Sequence, residues 1–335
     1  MPRVSVIITT HNRPRLLPRA VESARRAASD AEIIVVDDAS TDETAEVCRT
    51  LRGVRHVRAE RNQGVAGARN LGLLASTAEF VNFLDDDDVR LPGTLDEQAE
   101  ILESAPGAGL VYGQTHMGDQ DCAPTGSFYP EHCLQGDVFW ELLERNFIPC
   151  GSVLFRKSCV QRVGLLDKNV AGVDDWDMWV RIAELYPVTA VERPVIIWRQ
   201  STADSGQGSS RSAELLALAA RLLRRSWLSL PRARVAPAER RRMAWRGFSD
   251  NLSEHVLWET TVSLVRGDWR LARQGFAVAL RLHPSSLLRT AWKWARFSTL
   301  RLLASEVSAR HGLSGARERL KRARSEASGQ RTPAR

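Results

Sequence analysis

The first half of the chain alternates between apolar runs and amphipathic segments, a pattern that predicts alternating strands and helices. Val4–Thr10 is a β-branched run that ends at a polar loop, and Leu16–Ala28 then places its apolar residues on one helical face. Glu32–Val36 begins a second unit of the same kind, and Ser40 or Thr41 is expected to cap the helix that follows. The pattern predicts two successive strand–helix units.

The same pattern continues to about residue 200. Further strands are predicted at Val54–Val57, Phe80–Leu84, Leu110–Gln114, Gly151–Arg156 and Arg193–Arg199, and further helices at Gly67–Ser76, between Pro92 and Ser104, and at Asp174–Leu185. Such alternation predicts an α/β fold with a mostly parallel sheet flanked by helices. Ligands bind such sheets outside the carboxyl ends of the strands, where His11, Asp38 and an aspartate run beginning at Asp85 fall.

A change in composition near residue 203 divides the chain. A Ser/Gly-rich stretch lies there, and the sequence beyond it has the periodicity of helices, expected at 213–229, 238–266, 268–282 and 287–309. We therefore predict an α/β domain over residues 1–203, a linker or mobile loop over 204–212, a helical C-terminal region over 213–310 and a basic, disordered tail over 311–335.

The composition is that of a globular protein. The 335 residues are 43% hydrophobic and 26% charged, and no stretch reaches the roughly 20 apolar residues that a membrane span needs. Since the N-terminal apolar run lacks a small-residue cleavage site, a cytoplasmic protein is expected. The five cysteines have neither paired nor zinc-ligand spacing, so we expect reduced thiols.

The net charge of +7 is concentrated in the helical region, which is rich in arginine and poor in carboxylates. The region also contains six tryptophans: Trp227, Trp245, Trp258, Trp269, Trp292 and Trp294. This mixture suits helices that lie on an anionic membrane surface, and it equally suits a helical subdomain that packs its tryptophans. No nucleic-acid-binding module is recognisable, so nucleic acid is not expected as a partner.

The strongest chemical signal is the run Asp85-Asp86-Asp87-Asp88 directly after a predicted strand. Four neighbouring carboxylates repel one another, so the arrangement is expected to need a cation or the hydrogen-bond donors of a ligand. A divalent ion held there would bind a diphosphate and neutralise it as it departs. The alternative is a solvated acidic turn without a ligand.

Five segments, taken in order, resemble those of the family 2 glycosyltransferases with the GT-A fold. They are VSVIITTHNRP, EIIVVDDASTDET, NQGVAGARNLG, FVNFLDDDDVRLP and GVDDWDMWVRI, and together they extend over about residues 3 to 200. The resemblance implies an inverting transfer of a sugar from a nucleotide-diphosphate donor to an acceptor hydroxyl.

The resemblance also assigns the donor site. It places Thr9 and His11 against the nucleobase and Asp38 at the base edge, where a carboxylate would favour uracil or thymine, hence UDP or TDP. It places Asp85 near the ribose and Asp87 on a divalent cation, Mn²⁺ or Mg²⁺; because Asp86 is also acidic, a register shifted by one residue fits the same pattern. The remaining donor-binding candidates are Arg13, Arg69 and Asp86.

On the acceptor side, Asp175 matches the family's general base, which deprotonates the acceptor hydroxyl in a single displacement. Asp174, Trp176 and Arg199 are candidates for acceptor or diphosphate contacts, although Trp176 could equally pack in the core. For Asp177 we expect only a favourable interaction with the positive end of its helix. The sequence departs from the family after Trp198-Arg199, where many members have a histidine, so the metal's protein ligands beyond Asp87 are not assigned.

These observations predict a metal-dependent inverting glycosyltransferase of cell-surface glycan or polysaccharide synthesis, with a glycan or lipid-linked acceptor. Attachment to the inner face of the cell membrane through the helical region is left open. A sugar nucleotidyltransferase is disfavoured, because His11-Asn12-Arg13-Pro14 is not the Gly-rich, Arg/Lys-bearing loop expected there. The alternative of a different class is a non-catalytic glycan-binding or scaffolding protein that acts through its helical region.

Overall fold

A computed structural model describes residues 1–170, 172–199, 212–266 and 269–282. Its nine strands form one sheet in the order β3-β2-β1-β4-β8-β6-β9-β5, with β7 paired to β6. The strands are β1 Val4–Thr10, β2 Ala31–Asp37, β3 Val54–Arg58, β4 Phe80–Asp85, β5 Val89–Arg90, β6 Leu110–Gly118, β7 Pro124–Tyr129, β8 Leu154–Arg156 and β9 Val188–Arg199.

The helices flank this sheet and continue beyond it. They are α1 Leu17–Ala27, α2 Thr44–Thr50, α3 Gly64–Ala75, α4 Thr94–Ser104, α5 Phe139–Glu144, α6 Lys157–Val163, α7 Asp174–Leu185, α8 Ser212–Ser229, α9 Pro231–Val235, α10 Ala238–Arg266 and α11 Trp269–Leu282. The predicted α/β class is confirmed.

The sheet is parallel in part and antiparallel in part. β3, β2, β1 and β4 pair in parallel, as do β6 and β9, whereas β8 is antiparallel to both β4 and β6. The edge strands β5 and β7 also pair antiparallel with their neighbours. The parallel half contains the strand ends that the sequence placed at the ligand edge.

Several details differ from the sequence prediction. The strands β5 and β7 and the short helices α5, α6 and α9 were not predicted, and residues 151–153 form part of a 3₁₀ turn and its exit rather than a strand. The predicted cap of α2 is wrong, because no side chain caps that helix and Glu43 occupies the cap position. Ser40 bonds to another loop instead.

The core forms where β1 is covered on both faces. All seven residues of β1 are buried, and α1 packs its apolar face, including Leu17 and Val21, into the same cluster. The helix α3 also packs against β1. Its Gly72 lies so close to the strand that a Cβ atom there would be 2.2 Å from Cγ2 of Ile7. A residue without a side chain is therefore required at this contact.

Contacts divide the chain into two compact units, Met1–Gly247 and Phe248–Arg335. The helices predicted at 213–229, 238–266 and 268–282 correspond to α8, α10 and α11. The predicted helix at 287–309 and the predicted tail at 311–335 lie outside the described residues. So does the predicted linker, except for its last residue. Across the described residues, none of the helices combines the length and apolar character needed to cross a bilayer.

Candidate active site

Three loops meet at the carboxyl edge of the parallel strands. In the sheet register Thr10 of β1 is opposite Asp37 of β2, and Thr9 is opposite Asp85 of β4. The residues that follow each strand therefore emerge side by side. The geometry brings together the predicted candidates His11, Asp38 and the four aspartates of residues 85–88, hereafter the acidic turn.

The first two loops form the predicted nucleobase end of the site. Nδ1 of His11 lies 2.9 Å from the carbonyl oxygen of Asp38, and Oδ1 of Asp38 accepts a 2.7 Å hydrogen bond from the backbone N–H of Gln63. Asp38 is buried, whereas His11 is exposed. The exposed imidazole therefore contacts the backbone of Asp38, whose carboxylate is held by the residue before α3.

Asn12 links the same two loops. Its backbone N–H donates to Oγ of Ser40 at 2.9 Å, and its Oδ1 accepts from the backbone N–H of Thr41 at 2.8 Å. Asn12 and Ala39 both have positive φ, 54° and 59°. These left-handed residues turn both loops sharply, so that the side chains after β1 and β2 face one region.

Arg13 and the end of β1 hold the acidic turn. Asp86 accepts hydrogen bonds from Oγ1 of Thr10 at 2.6 Å and from Nη1 of Arg13 at 2.8 Å, one on each carboxylate oxygen. The same Nη1 lies 3.2 Å from Oδ2 of Asp87. Because both oxygens of Asp86 accept hydrogen bonds from the chain itself, this residue anchors the acidic turn to β1 and to Arg13. Thr10 was not among the sequence candidates, although it directly follows Thr9.

The acidic turn nevertheless carries excess negative charge. Burial, opposed by Arg13 and Thr10, raises the pKa of Asp86 to about 7, and burial followed by repulsion from Asp85 raises that of Asp87. Burial and the neighbouring carboxylates raise the pKa of Asp88 as well, although its Oδ1 accepts the backbone N–H of Arg199 at 2.9 Å. Arginines of the chain offset part of this negative charge, and the expectation that a cation or ligand completes the turn stays a prediction.

A divalent cation fits this turn. Oδ1 of Asp85 and Oδ2 of Asp87 are engaged by arginines, which leaves each carboxylate a second oxygen. The described residues contain no group of three or more side chains that would form a complete metal site by itself. Mg²⁺ in nucleotide enzymes is commonly held by one or two carboxylates together with substrate phosphates. The donor set therefore matches a metal that arrives with its diphosphate.

Arg69 joins the acidic turn to the start of α7. Its Nη2 donates to Oδ1 of Asp85 at 2.8 Å and its Nη1 to Oδ2 of Asp174 at 3.0 Å, while the guanidinium lies over the ring of Phe83. Both Arg69 and Asp174 are buried. One rigid cation thus fixes the distance between the two acidic motifs that the sequence singled out.

Asp175 lies beside this bridge and has no ion-pair partner in the part of the chain that the structure describes. Its one hydrogen bond among the described residues comes from the backbone N–H of Trp176 to its Oδ1, at 2.7 Å. Burial, followed by the negative charge of Asp174, raises its pKa to about 7, and Arg69 opposes the shift. The residue remains partly exposed. A partly accessible carboxylate with this pKa can take a proton near neutral pH.

The neighbouring tryptophans pack in the core. Nε1 of Trp176 donates to the carbonyl of Leu142 at 2.6 Å and its ring lies 5.3 Å from that of Trp227, while Trp179 packs against Phe83 and Phe155. Of the two alternatives for Trp176, these contacts agree with packing in the core.

Arg199 ends β9 beside the acidic turn, and its Nε donates to the carbonyl of Gln120 at 2.6 Å. The Ser/Gly run that follows it lies outside the described residues. Cys150 lies near Arg69 of the bridge, and burial raises the pKa of its thiol well above the ordinary value. Its thiol is therefore neutral and suited to packing.

Comparison with known sequences gives a family match for just under half of the chain. Residues 5–163 match the sequence profile described as Glycosyl transferase family 2. A protein of Nostoc, named as an uncharacterized glycosyltransferase, is 37% identical over 186 residues, which are 53% of this chain and 56% of that protein. The chain therefore spans about half the length of this curated relative.

A second relative has a named activity. The GalNAc(5)-diNAcBac-PP-undecaprenol beta-1,3-glucosyltransferase of Campylobacter jejuni is 43% identical over 101 residues, 28% of this chain and 33% of that enzyme. The short overlap limits the likeness to part of the domain.

Solved structures have the same fold. Residues 1–349 of Staphylococcus aureus TarS, in complex with UDP-GlcNAc, superpose with a TM-score of 0.61 at 16% identity and 92% coverage of both chains. The mannosyltransferase PcManGT of Pyrobaculum calidifontis, in complex with GDP-Man and Mn²⁺, gives 0.57 at 20% identity, with coverage of 92% of this chain and 84% of that one.

Proposed function

We propose that the chain, whose residues 5–163 match the Glycosyl transferase family 2 profile, is an inverting glycosyltransferase that uses a nucleotide-diphosphate sugar. The observation that carries the proposal is the Arg69 bridge between Asp85 and Asp174. The bridge supports the proposal because it holds the acidic turn, which we propose binds the diphosphate through a cation, at a fixed separation from Asp174, the neighbour of the proposed base Asp175. A direct displacement at a sugar carbon needs such an arrangement, because the nucleophile and the leaving group occupy opposite faces of that carbon.

Asp175 is the proposed base. Its raised pKa, about 7, leaves it partly ionised at neutral pH and basic enough to accept a proton from a hydroxyl as that hydroxyl attacks. The new bond forms between the acceptor oxygen and the sugar carbon, the bond from that carbon to the diphosphate breaks, and the proton moves to Asp175. No covalent enzyme intermediate is required, which is why we propose inversion.

Asp87, with Asp85, is proposed to hold a divalent cation, Mn²⁺ or Mg²⁺. When bound, the ion supplies positive charge to the departing diphosphate. Arg13 keeps Asp87 close to Asp86 through its shared guanidinium, and Arg69 keeps Asp85 directed toward the bridge. The raised pKa values of Asp86 and Asp87 support this proposal, because a bound cation would supply the positive charge that favours their ionised forms.

The nucleobase end favours uracil or thymine in this proposal. Asp38 is fixed by the N–H of Gln63 through one carboxylate oxygen, which leaves the other for the N–H of a pyrimidine. His11 lies alongside and is exposed enough to contact the base. We therefore propose UDP or TDP, rather than GDP or CDP, as the nucleotide.

The acceptor is proposed to be a glycan on a lipid carrier, as in the name of the Campylobacter relative, in cell-surface glycan synthesis at the inner membrane face. The second compact unit offers a surface for such a location. Trp269, Phe276 and Leu280 of α11 are exposed on one helical face, together with the exposed Arg270 and Arg273. An amphipathic face with aromatic and basic residues suits an anionic lipid interface.

The proposal is tested by calorimetric titration of UDP, TDP, GDP and CDP into the purified chain, each with and without Mn²⁺. We expect Mn²⁺-dependent binding of UDP or TDP that Asp87→Ala removes. Glu79→Gln, a change to an exposed carboxylate paired with Arg156, is the matched control and should bind normally. Absence of binding for all four nucleotides would contradict catalysis and favour the non-catalytic, glycan-binding alternative.

A further inference from the structure

Two consecutive helices outside the matched family region contact both ends of α7, the helix that begins with Asp174 and Asp175. Trp227, near the end of α8, contacts the first turn of α7. Arg232, in α9, contacts its last turn. All of these residues belong to the compact unit Met1–Gly247.

At the first turn, Trp227 engages the two residues that directly follow Asp175. Its Nε1 donates to Oδ1 of Asp177 at 2.9 Å, and its ring lies 5.3 Å from the ring of Trp176. Arg181 donates from Nε to the other oxygen of Asp177, also at 2.9 Å. Both Trp227 and Asp177 are almost fully buried, at 2% and 3% exposure. The Asp177 carboxylate is thus satisfied on both oxygens by side chains.

At the last turn, Arg232 makes a similar set of bonds about two turns away. Its backbone N–H donates to Oε1 of Glu184 at 3.1 Å, and its Nη2 donates to Oδ2 of Asp137 at 2.7 Å. Its guanidinium also lies over the ring of Phe139. The two ends of α7 are therefore held by separate residues, which allows them to be perturbed separately.

The first turn needs such support because Asp175 has little of its own. Among the described residues, only the N–H of Trp176 bonds to the Asp175 carboxylate, and the adjacent Asp174 is also acidic. A base must be held within about 0.5 Å of its productive position, and a misplacement of about 1 Å can cost roughly 100-fold in rate. The backbone that carries Asp175 is continuous with Trp176 and Asp177, which Trp227 fixes.

We propose that Trp227 is a positioning residue that holds the first turn of α7, and with it the carboxylate of Asp175, in the orientation that deprotonates the acceptor. The inference rests on the proposed function, because it gives Asp175 the role of base. It assigns to the C-terminal helices a part in the reaction itself. The interaction that carries it is the bond from the indole N–H to Asp177, supported by the contact between the rings of Trp227 and Trp176, whose planes are tilted by 59°.

The test compares Trp227→Phe, which keeps an aromatic ring and removes the N–H donor, with Arg232→Met at the far end of α7. UDP released from UDP-glucose with Mn²⁺ is followed with water as acceptor, since Asp175 would deprotonate water as it does a hydroxyl. We expect Trp227→Phe to lower kcat about tenfold or more, with KM and UDP affinity within twofold of the wild type. Arg232→Met should change kcat less than twofold.

Hydrogen exchange supplies a readout that does not depend on turnover. Trp227→Phe should speed amide exchange in residues 174–179 and leave 180–185 unchanged, and Arg232→Met should give the reverse. An unchanged kcat in Trp227→Phe, or a loss of UDP binding in that variant, would overturn the positioning role while the proposed function stands. A wild type that releases no UDP and binds none would overturn both.

Discussion

The pH dependence of transfer follows from the surroundings of Asp175. Burial and the charge of Asp174 raise the pKa of its carboxyl to about 7. A base is active only when ionised, so the rate should fall as the pH decreases through 7 and should level off above it. The direction of this pH dependence follows from the raised pKa of Asp175, because the protonated, inactive form persists to a higher pH than in an ordinary aspartate.

The size of the effect follows from a single titration. With a pKa of about 7, roughly half of the molecules are active at pH 7 and about a tenth at pH 6. Asp174→Asn removes the like charge, which should move the midpoint of the profile down by roughly one pH unit. At pH 6 this variant should then retain a larger share of its own maximal rate than the wild type does.

The assay is kcat between pH 5 and 9 at saturating nucleotide sugar and Mn²⁺ and at constant ionic strength. Glu79→Gln, a change to an exposed carboxylate paired with Arg156, serves as control and should leave the midpoint in place. A wild-type rate that rises as the pH falls below 7 would refute the assignment of Asp175 as base. A midpoint that moves upward in Asp174→Asn would refute the electrostatic argument for its pKa.

Three further predictions follow from single contacts. Asp87→Asn should abolish Mn²⁺-dependent UDP binding in calorimetry but leave the far-UV circular dichroism unchanged; retained binding would place the metal elsewhere. Asp175→Asn should raise the melting temperature by a few degrees, because it removes repulsion with Asp174, and a lower melting temperature would contradict that reasoning. Gly72→Ala should destabilise folding by about 1–3 kcal/mol in urea titrations, because its Cβ would lie 2.2 Å from Ile7; an unchanged midpoint would show that α3 can move away.

The longest regular elements could be predicted because the pattern of apolar residues in each one indicates both its type and its burial. Val4–Thr10 is apolar and β-branched and becomes a fully buried strand, and the bounds of α7 and α10 agree with the prediction. The strand β7 could not be predicted in this way. Its six residues are all exposed and include proline and glycine, so its pairing with β6 defines it rather than its own pattern.

In the candidate site, too, some features could be predicted from the sequence and others could not. The sequence and its resemblance to family 2 glycosyltransferases named Asp38, Asp85, Asp87 and Asp175, because these side chains follow strand ends or begin a helix in recognisable order. Their partners could not be named. Arg69 and Asp174 are 105 residues apart in the chain, and no local pattern indicates that they form an ion pair.

The sequence by itself therefore determined the element types, the ligand edge of the sheet and the chemical groups placed there, since these depend on local periodicity and motif order. Only the tertiary structure decided how the charges pair, that Asp175 has no ion-pair partner among the described residues, and that Trp227 reaches Asp177 across 50 positions of sequence. The physical reason is that burial and distance set both pKa and pairing, and both arise only when distant segments pack together.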